Sequence, residues 1–299
     1  MVKLIIDTDL GPDCDDAGAL AIANKLHNNG EAELLGVTHC TSDIGGAYTA
    51  AAINSYFSNE SVRIGQSNIK GFLDGEENKK FTDEIKENFI CRYGERVFEE
   101  PVSMLREILA NNRGVKLVCI GPLNNFAELL RSEPDAQSPL NGKELVGESI
   151  ESVIIMGGDF REGEKSAEYN IRCDIDCAKY VAKNCPVPVV YCGVEVGKDV
   201  LTGQSLRDED AENPIKTAYE RFLEKSGHGN SFLRPSWDLI AVSYAIKGEM
   251  GLWELSDDVT VSFDENGVTV VEKGGKDRYL INRAEEEKIS AELENLLRK

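Results

Sequence analysis

The amino-terminal part of this sequence concentrates carboxylates, because five aspartates fall within ten positions after the short apolar run Val2–Ile6. The five are Asp7, Asp9, Asp13, Asp15 and Asp16. Carboxylates a few ångströms apart repel one another strongly unless a cation compensates their charge. Oxygen ligands with no neighbouring pair of His or Cys favour calcium or magnesium over zinc, and the irregular spacing suits the flexible shell of calcium. The sequence therefore predicts a calcium site here.

A structural interpretation of the same aspartates stays open. Asp15 and Asp16 stand where a helix should begin, and an aspartate there can cap free backbone N–H groups. Capping would account for one of the five, with the others in a solvated loop. The spacing is not that of an EF-hand, because no glutamate closes a twelve-residue loop after Asp7 or Asp9.

Apolar strand-like runs alternate with helical segments along most of the chain. The expected strands are Val2–Ile6, Glu33–Thr38, Ser61–Ile64, Val115–Ile120, Ser152–Met156 and Val187–Cys192. The expected helices between them include Val102–Ala110, Asn124–Leu130 and Cys177–Lys183. This alternation predicts an α/β fold with a mostly parallel central sheet and helices on both faces. Ligands of such sheets bind beyond the carboxyl ends of the strands, which is where Asp7 and Asp9 would lie.

The remaining segments complete the expected organisation. Two alternating runs around Asn266-Gly267 predict a carboxyl-terminal β-hairpin, and Asn282–Arg298 predicts a charged amphipathic helix. The polar region 66–100 is either an excursion over the site or a solvent-facing loop and helix. Because no Pro-rich, Gly/Ser-rich or single-charge linker divides the 299 residues, we expect one domain over 1–299.

The composition narrows the possible partners. A formal net charge of −20 disfavours nucleic acid and anionic membrane surfaces and suits a small neutral or cationic ligand. No apolar run approaches the roughly 20 residues of a membrane helix, and the amino terminus lacks a signal-peptide layout. The Cys173/Cys177 pair has no second pair at zinc-site spacing. We therefore expect a cytoplasmic protein whose cysteines are reduced and structural.

The segment IIDTDLGPDCDDAGAL (residues 5–20) resembles the amino-terminal motif of the inosine-uridine nucleoside hydrolases, which usually reads DTDPGxDDAxAL. This chain carries two extra residues before the pair of adjacent aspartates. The resemblance implies that Asp9 and Asp16 bind calcium and that Asp15 is the base that activates the attacking water. It gives Asp13 no counterpart.

Two later segments are similar to further motifs of that family. VCIGPLNNFAELL resembles a GPLTN turn, which implies that the backbone carbonyl of Asn124 binds calcium; an ordinary turn and helix cap is the alternative. IIMGGDFREGEKSAEYNIRCDIDCA resembles an IMGG…AEFN…D stretch. It implies that Met156, Glu168 and Asn170 hold a ribose, with Tyr169 in place of a Phe, whereas a solvated loop before the next helix is the alternative.

The segment RPSWDLIAVSYAI resembles the last family motif, in which a His-Asp pair opens a helix and the aspartate binds calcium. Here the pair is Trp237-Asp238, so the implied ligand is kept and the histidine is not. The family's HGxxG-like stretch is also missing near residues 70–90. Among the histidines His27, His39 and His228, we take His228 as the candidate acid for the departing base. Trp237 would stack on the base or serve as a core residue.

Together the resemblance implies a calcium-dependent hydrolase that cleaves the N-glycosidic bond of ribonucleosides, or of a related ribosyl compound, through an oxocarbenium-like transition state. It also implies a homo-oligomer, a dimer or tetramer, by analogy with relatives. One alternative is a calcium-bound protein that binds ribosyl compounds without turnover. Another is a haloacid dehalogenase-like phosphatase with Asp7 as nucleophile and Asp9 as acid on magnesium, although the adjacent Asp15-Asp16 pair lies too close to provide its later acidic pair.

Overall fold

The computed structural model of the chain describes residues 1–227 and 231–298. Its strands are β1 (Val2–Thr8), β2 (Ala32–His39), β3 (Arg63–Gln66), β4 (Val115–Cys119), β5 (Ile150–Met156), β6 (Val189–Cys192), β7 (Leu201–Thr202), β8 (Arg234–Pro235), β9 (Trp253–Leu255), β10 (Val259–Phe263), β11 (Thr269–Lys273) and β12 (Arg278–Asn282). Its helices are α1 (Asp15–Asn28), α2 (Ile44–Tyr56), α3 (Thr82–Tyr93), α4 (Pro101–Asn111), α5 (Asn124–Arg131), α6 (Gly142–Ser149), α7 (Tyr169–Cys173), α8 (Ile175–Asn184), α9 (Val194–Gly197), α10 (Pro214–Lys225), α11 (Trp237–Lys247) and α12 (Glu286–Leu297).

Eight strands form the central sheet in the order β3-β2-β1-β4-β5-β6-β12-β9. The pairs from β3 to β12 are parallel, whereas β9 at the edge runs antiparallel to β12. The expected α/β fold with a mostly parallel sheet is confirmed. The chain builds outward from β1 toward β3 on one side and toward β6 on the other. The carboxyl end of β1 is therefore the topological switch point at which such sheets bind ligands.

Residues that alternate along the central strands pack into two separate cores. Leu4 and Ile6 of β1 belong to the core that contains α1 and α11, whereas Ile5 belongs to the core with α4 and α5. All three side chains are fully buried. Each contributes about 1.5–3 kcal/mol by leaving water. Helices therefore cover both faces, as the unbroken apolar runs predicted.

Two strand boundaries differ from the sequence expectation. β6 begins at Val189 rather than Val187, because Pro188 has no N–H to donate to the ladder; its carbonyl still accepts from the Val153 N–H at 3.0 Å. The expected strand Ser61–Ile64 begins instead at Arg63. The N–H of Val62 donates to the Asn59 carbonyl at 3.1 Å, which keeps that residue in the preceding turn.

The carboxyl-terminal hairpin is confirmed, and the expected helix after it is shorter than predicted. β10 and β11 pair antiparallel across the turn at Asn266-Gly267, where Gly267 has a φ of +81°. The helix begins at Glu286, because residues up to Asn282 form β12, a strand of the central sheet that the sequence did not reveal. None of the described helices combines the length and the apolar composition needed to cross a bilayer.

The polar region 66–100 passes over the carboxyl end of the sheet. The N–H of Lys80 donates to the Gly11 carbonyl at 3.4 Å, which holds this segment against the loop after β1. Glu77, Asn78 and Lys80 line the cavity found there. The first of the two interpretations, an excursion over the site, therefore describes this part of the region.

Candidate active site

A cavity of about 460 Å³ lies beyond the carboxyl ends of the central strands. The polar part of its wall consists of Asp9, Asp15, Asp16, Glu168, Asn170 and Asp238. A second part combines cations, aromatic rings and further polar groups, namely Asp13, Glu77, Asn78, Lys80, Phe222, Arg234 and Trp237. The sheet topology thus gathers residues from the whole length of the chain at one place.

Three buried carboxylates form the most compact group in the cavity. Oxygen atoms of Asp15, Asp16 and Asp238 lie within 4.8 Å of one another. Asp15 and Asp16 open α1, and Asp238 stands in the first turn of α11. The two helices approach closely at Gly18, where a Cβ would lie 3.0 Å from the Leu239 side chain. We call these three residues the carboxylate trio.

The hydrogen bonds of the trio fix its orientation. The hydroxyl of Thr8 donates to Oδ1 of Asp16, and the backbone N–H of Asp238 donates to Oδ2 of Asp15 at 3.2 Å. Burial, reinforced by repulsion from neighbouring carboxylates, raises the pKa of all three members well above the ordinary value of an aspartate. Burial and the charge of Asp15 raise the pKa of Asp9 in the same way. These four buried carboxylates, three of which have their oxygens close together, form a donor set that could hold a divalent cation.

The turn after β4 packs directly against Asp9. A Cβ on Gly121 would lie 2.8 Å from the backbone nitrogen of Asp9 and 2.9 Å from its Oδ1, so only glycine allows this approach. Asn124 begins α5, and its Nδ2 donates to the Cys40 carbonyl at 2.8 Å. Its Oδ1 is buried and finds no hydrogen-bond partner in the described part of the chain. Asn124 is nevertheless not part of the cavity wall. The hard oxygen donors around Asp9 fit a divalent cation.

Asp7 is not part of this wall. Its Oδ1 accepts from the Thr38 hydroxyl at 2.5 Å and from Nδ2 of Asn125 at 2.8 Å. Burial raises the pKa of Asp7 to about 7 despite these hydrogen bonds. The side chain therefore ties β1 to β2 and α5 and holds the loop that carries Asp9.

The four residues expected to hold a ribose meet on the cavity wall. Nδ2 of Asn170 donates to the Met156 carbonyl at 3.1 Å, which links α7 to the end of β5. Glu168 accepts from the N–H groups of Asn170 and Ile171 and so caps α7, while it also faces the cavity. Burial raises the pKa of Glu168 to about 7. Tyr169 lies at the rim, with about a third of its surface exposed.

The histidines that the structure describes do not line the cavity. His39 is fully buried, with Nδ1 at 3.1 Å from Oε1 of Gln66 and Nε2 at 3.2 Å from the Leu10 carbonyl. Burial lowers the pKa of His39. Through its contact with Leu10, the ring packs against the loop after β1. Nδ1 of His27 accepts the Leu34 N–H at 3.1 Å. His228, the candidate acid, lies outside the described residues.

Trp237 is half-buried in the cavity wall, and its Nε1 donates to the Val194 carbonyl at 2.7 Å. Sequence reasoning missed its neighbour Arg234, which forms an ion pair with Asp13 in the cavity wall and lies over two aromatic rings. The one signal in the sequence was Asp13, an acidic residue of the extended loop that has no counterpart in the family motif and that needs a cationic side chain nearby. Nothing in the sequence marked Phe222 and Lys80, because α10 and the segment before α3 reach the site only through tertiary packing.

Comparison with known proteins gives two kinds of result. The sequence model described as inosine-uridine preferring nucleoside hydrolase matches residues 4–292. A non-specific ribonucleoside hydrolase RihC of Salmonella schwarzengrund is 30% identical over 152 residues, which cover 49% of this chain and 46% of that protein. A pyrimidine-specific ribonucleoside hydrolase RihA of Shewanella woodyi is 33% identical over 125 residues, 40% of this chain and 36% of that protein. The chain thus matches less than half the length of either curated relative.

Solved structures match over nearly the whole chain. An inosine-uridine preferring nucleoside hydrolase from Bacillus anthracis superposes with a TM-score of 0.74 at 16% identity and covers 99% of both chains. A purine-preferring ribonucleoside hydrolase from Gardnerella vaginalis gives a TM-score of 0.73 at 19% identity, over 99% of this chain and 98% of that one. At such identities the likeness establishes a shared fold.

Proposed function

Because the chain belongs to the inosine-uridine preferring nucleoside hydrolase family, we propose that it hydrolyses the N-glycosidic bond of ribonucleosides or of a related ribosyl compound. Water would replace the base at C1′, giving ribose and free base through an oxocarbenium-like transition state. The observation that carries this proposal is the carboxylate trio, which lies in one cavity with Glu168 and Asn170.

The cofactor we propose is Ca²⁺, held by Asp9, Asp16, Asp238 and the backbone carbonyl of Asn124. The hard oxygen chemistry of these groups and the raised pKa values of the three aspartates support a divalent cation. When bound, the ion would orient the attacking water and the vicinal hydroxyls of the ribose.

Asp15 is our proposed general base, which takes the proton of the attacking water. Its pKa is raised by burial and by neighbouring carboxylates, so its basicity exceeds that of an exposed aspartate. The N–H of Asp238 fixes Oδ2, whereas Oδ1 has no hydrogen-bond partner among residues 1–227 and 231–298 and could accept from the water. A carboxylate so held is ready to act without reorganisation.

The ribose-binding groups in this proposal are Met156, Glu168, Tyr169 and Asn170. A sugar with vicinal hydroxyls needs acceptors and donors together, which a carboxylate and an amide supply. Both side chains lie in the cavity wall and are nearly fully buried. Their side chains form hydrogen bonds with backbone groups of β5 and α7, which fix their positions.

On the side of the base we propose stacking on Trp237 and proton donation by His228. The half-buried ring of Trp237 in the cavity wall supports the first assignment. The second rests only on the position of His228 in the sequence, shortly before the Trp237-Asp238 pair. We also propose a single domain over 1–299, a cytoplasmic location and a homo-oligomer, a dimer or tetramer. One central sheet that takes strands from residue 2 to residue 282 supports the single domain.

Release of reducing sugar tests the function directly. Purine and pyrimidine nucleosides and an activated ribofuranoside with a 4-nitrophenolate leaving group would be incubated with the protein, with and without a chelator. We expect ribose release that the chelator abolishes and added calcium restores. Calcium binding without release from any of these compounds would leave the alternative of a ribosyl-binding protein. The phosphatase alternative receives no support from the family match.

Gly121→Ala offers a test of the role of Asp9. The added methyl group would collide with the Asp9 backbone and side chain, so we expect Asp9 to move and activity to fall by about 10²-fold. The rate of 4-nitrophenolate release measures this. Gly147→Ala in α6 is the control, because the nearest atom to its Cβ is 3.8 Å away. This control should keep full activity and gain about 0.5–1 kcal/mol of stability. Wild-type activity in Gly121→Ala would show that the position of Asp9 is unimportant.

A further inference from the structure

Arg234 lies in the cavity wall and is held from several sides. Its Nε donates to Oδ1 of Asp13 at 2.9 Å and to Oδ2 at 3.2 Å, and its Nη2 also donates to Oδ2. The guanidinium carbon lies 4.7 Å from the centre of the Phe222 ring and 5.4 Å from that of Trp237. A planar group fixed by a bidentate ion pair and two ring contacts has a defined orientation.

One edge of this guanidinium is free. Asp13 occupies the edge formed by Nε and Nη2, whereas Nη1 has no hydrogen-bond partner within residues 1–227 and 231–298. Arginine carries five N–H donors in a fixed fork. The end of the fork therefore keeps two parallel donors, one on Nη1 and one on Nη2. The side chain is 19% exposed, and Phe222 and Trp237, which flank it, also line the cavity.

We propose that Arg234 binds the departing base of the substrate through this free edge and stabilises the negative charge that the base acquires. The inference rests on the proposed hydrolase function. When the C1′–N bond breaks, its electron pair moves into the base, and the hydroxyl of the attacking water bonds to C1′. The proton of that water goes to Asp15, and the base, whose developing charge Arg234 stabilises, is protonated by His228, the donor proposed above. Asp15 then returns its proton to the solvent, from which His228 regains one. Arg234 remains protonated throughout, since its pKa is too high for proton donation.

The fork also defines the kind of base that it accepts. Two parallel donors match two adjacent acceptors, such as O6 and N7 of a 6-oxopurine. Adenine presents an amino donor beside N7, so one of the two hydrogen bonds is lost. We therefore infer that Arg234 favours inosine and guanosine over adenosine. Asp13 acts as a positioning residue, because it sets the plane of the guanidinium.

A purely structural role for Arg234 makes a different prediction. The ion pair with Asp13 joins the loop after β1 to β8, so its loss would disturb every substrate alike. Leaving-group stabilisation is needed by inosine, whose base departs poorly, and hardly at all by a 4-nitrophenyl ribofuranoside. The dependence of the loss on the leaving group therefore separates the two roles.

The decisive experiment compares Arg234→Met with wild type on inosine, adenosine and the 4-nitrophenyl ribofuranoside. We expect kcat/KM for inosine to fall by about 10²–10³-fold, as for the loss of a donor to a developing anion. The aryl riboside should lose less than about 10-fold, because its leaving group carries the charge unaided. The preference for inosine over adenosine should shrink. Arg221→Met, which removes an arginine paired with Glu84 on the surface, is the matched control and should retain all rates.

The double variant Asp13→Asn/Arg234→Met removes the unpaired carboxylate that the single variant leaves behind. It should reproduce the selective loss with a wild-type melting temperature. Equal losses on inosine and on the aryl riboside, in the single and in the double variant, would overturn the role of Arg234 and leave the hydrolase function intact. A wild-type protein that cleaves none of the three compounds would instead refute the proposed function itself.

Discussion

Replacement of Asp15 by Asn is expected to slow turnover by orders of magnitude while calcium binding persists. The amide oxygen of Asn has the same shape as the carboxylate oxygen and can still accept the hydrogen bond from the Asp238 N–H. The amide cannot, however, take the proton of the attacking water. A positioned general base contributes about 10²–10⁴ in rate, so kcat should fall by that factor. Ribose release and calcium titration by calorimetry measure the two properties separately.

Matched variants distinguish the general base from the calcium ligands. Asp16→Asn and Asp238→Asn should lose calcium affinity and turnover together, whereas Asp176→Asn on the exposed surface of α8 should change neither. The close grouping of the trio means that Asp15 can also bind the metal. Loss of calcium affinity in Asp15→Asn would identify this residue as a ligand. Loss of turnover with calcium retained in Asp9→Asn would then identify Asp9 as the base.

Calcium is expected to stabilise the protein more at high pH than at low pH. The pKa values of Asp15, Asp16 and Asp238 are raised in the folded state. Their contribution to the free energy of unfolding is therefore fully present below the unfolded value of about 3.9 and is lost as the pH rises through the raised values. Calcium binds the ionised form and compensates this loss. At one hundred times its dissociation constant, a ligand adds about 2.7 kcal/mol of stability.

Thermal unfolding at roughly pH 5 and roughly pH 8, with calcium and with chelator, tests this dependence. The melting temperature with chelator should fall as the pH rises, and the increase on adding calcium should grow. Asp16→Asn serves as the control, because removal of one ionisable ligand should diminish both trends. An equal effect of calcium at the two pH values would contradict the coupling. A larger effect of magnesium than of calcium would instead correct the identity of the metal.

The sequence predicted the part of the site in which reactive side chains directly follow a recognisable strand. The aspartates after β1 follow an apolar strand directly, so their place at the end of a parallel sheet could be predicted from local patterning. Glu168 and Asn170 stand beyond a loop that separates β5 from α7, and the resemblance to the family's motif predicted their place. The predicted strands are short and apolar because both faces are buried, as the assignment of Ile5 and Ile6 to opposite cores confirms.

The parts that escaped prediction depend on tertiary contacts between distant segments. Arg234 stands in a two-residue strand within a polar stretch, and only the folded structure shows that it pairs with Asp13 in the cavity wall. In the sequence, β12 is a short apolar run between polar residues and resembles several other runs near the carboxyl terminus. Its place in the central sheet is decided by pairing with β6 through Arg278 and Tyr279. Local propensity carries no information about such partners.

The carboxylate trio joins α1, near the start of the chain, to α11, which follows most of the sheet. A ribosome therefore releases Asp15 and Asp16 long before Asp238. The nascent amino-terminal half carries two of the three carboxylates and cannot complete the trio. Contacts between such distant positions form late in folding, because a long loop must close first. The ligand set proposed for the metal would therefore be complete only once α11 is made, and a polypeptide stalled or cut after α10 would lack Asp238.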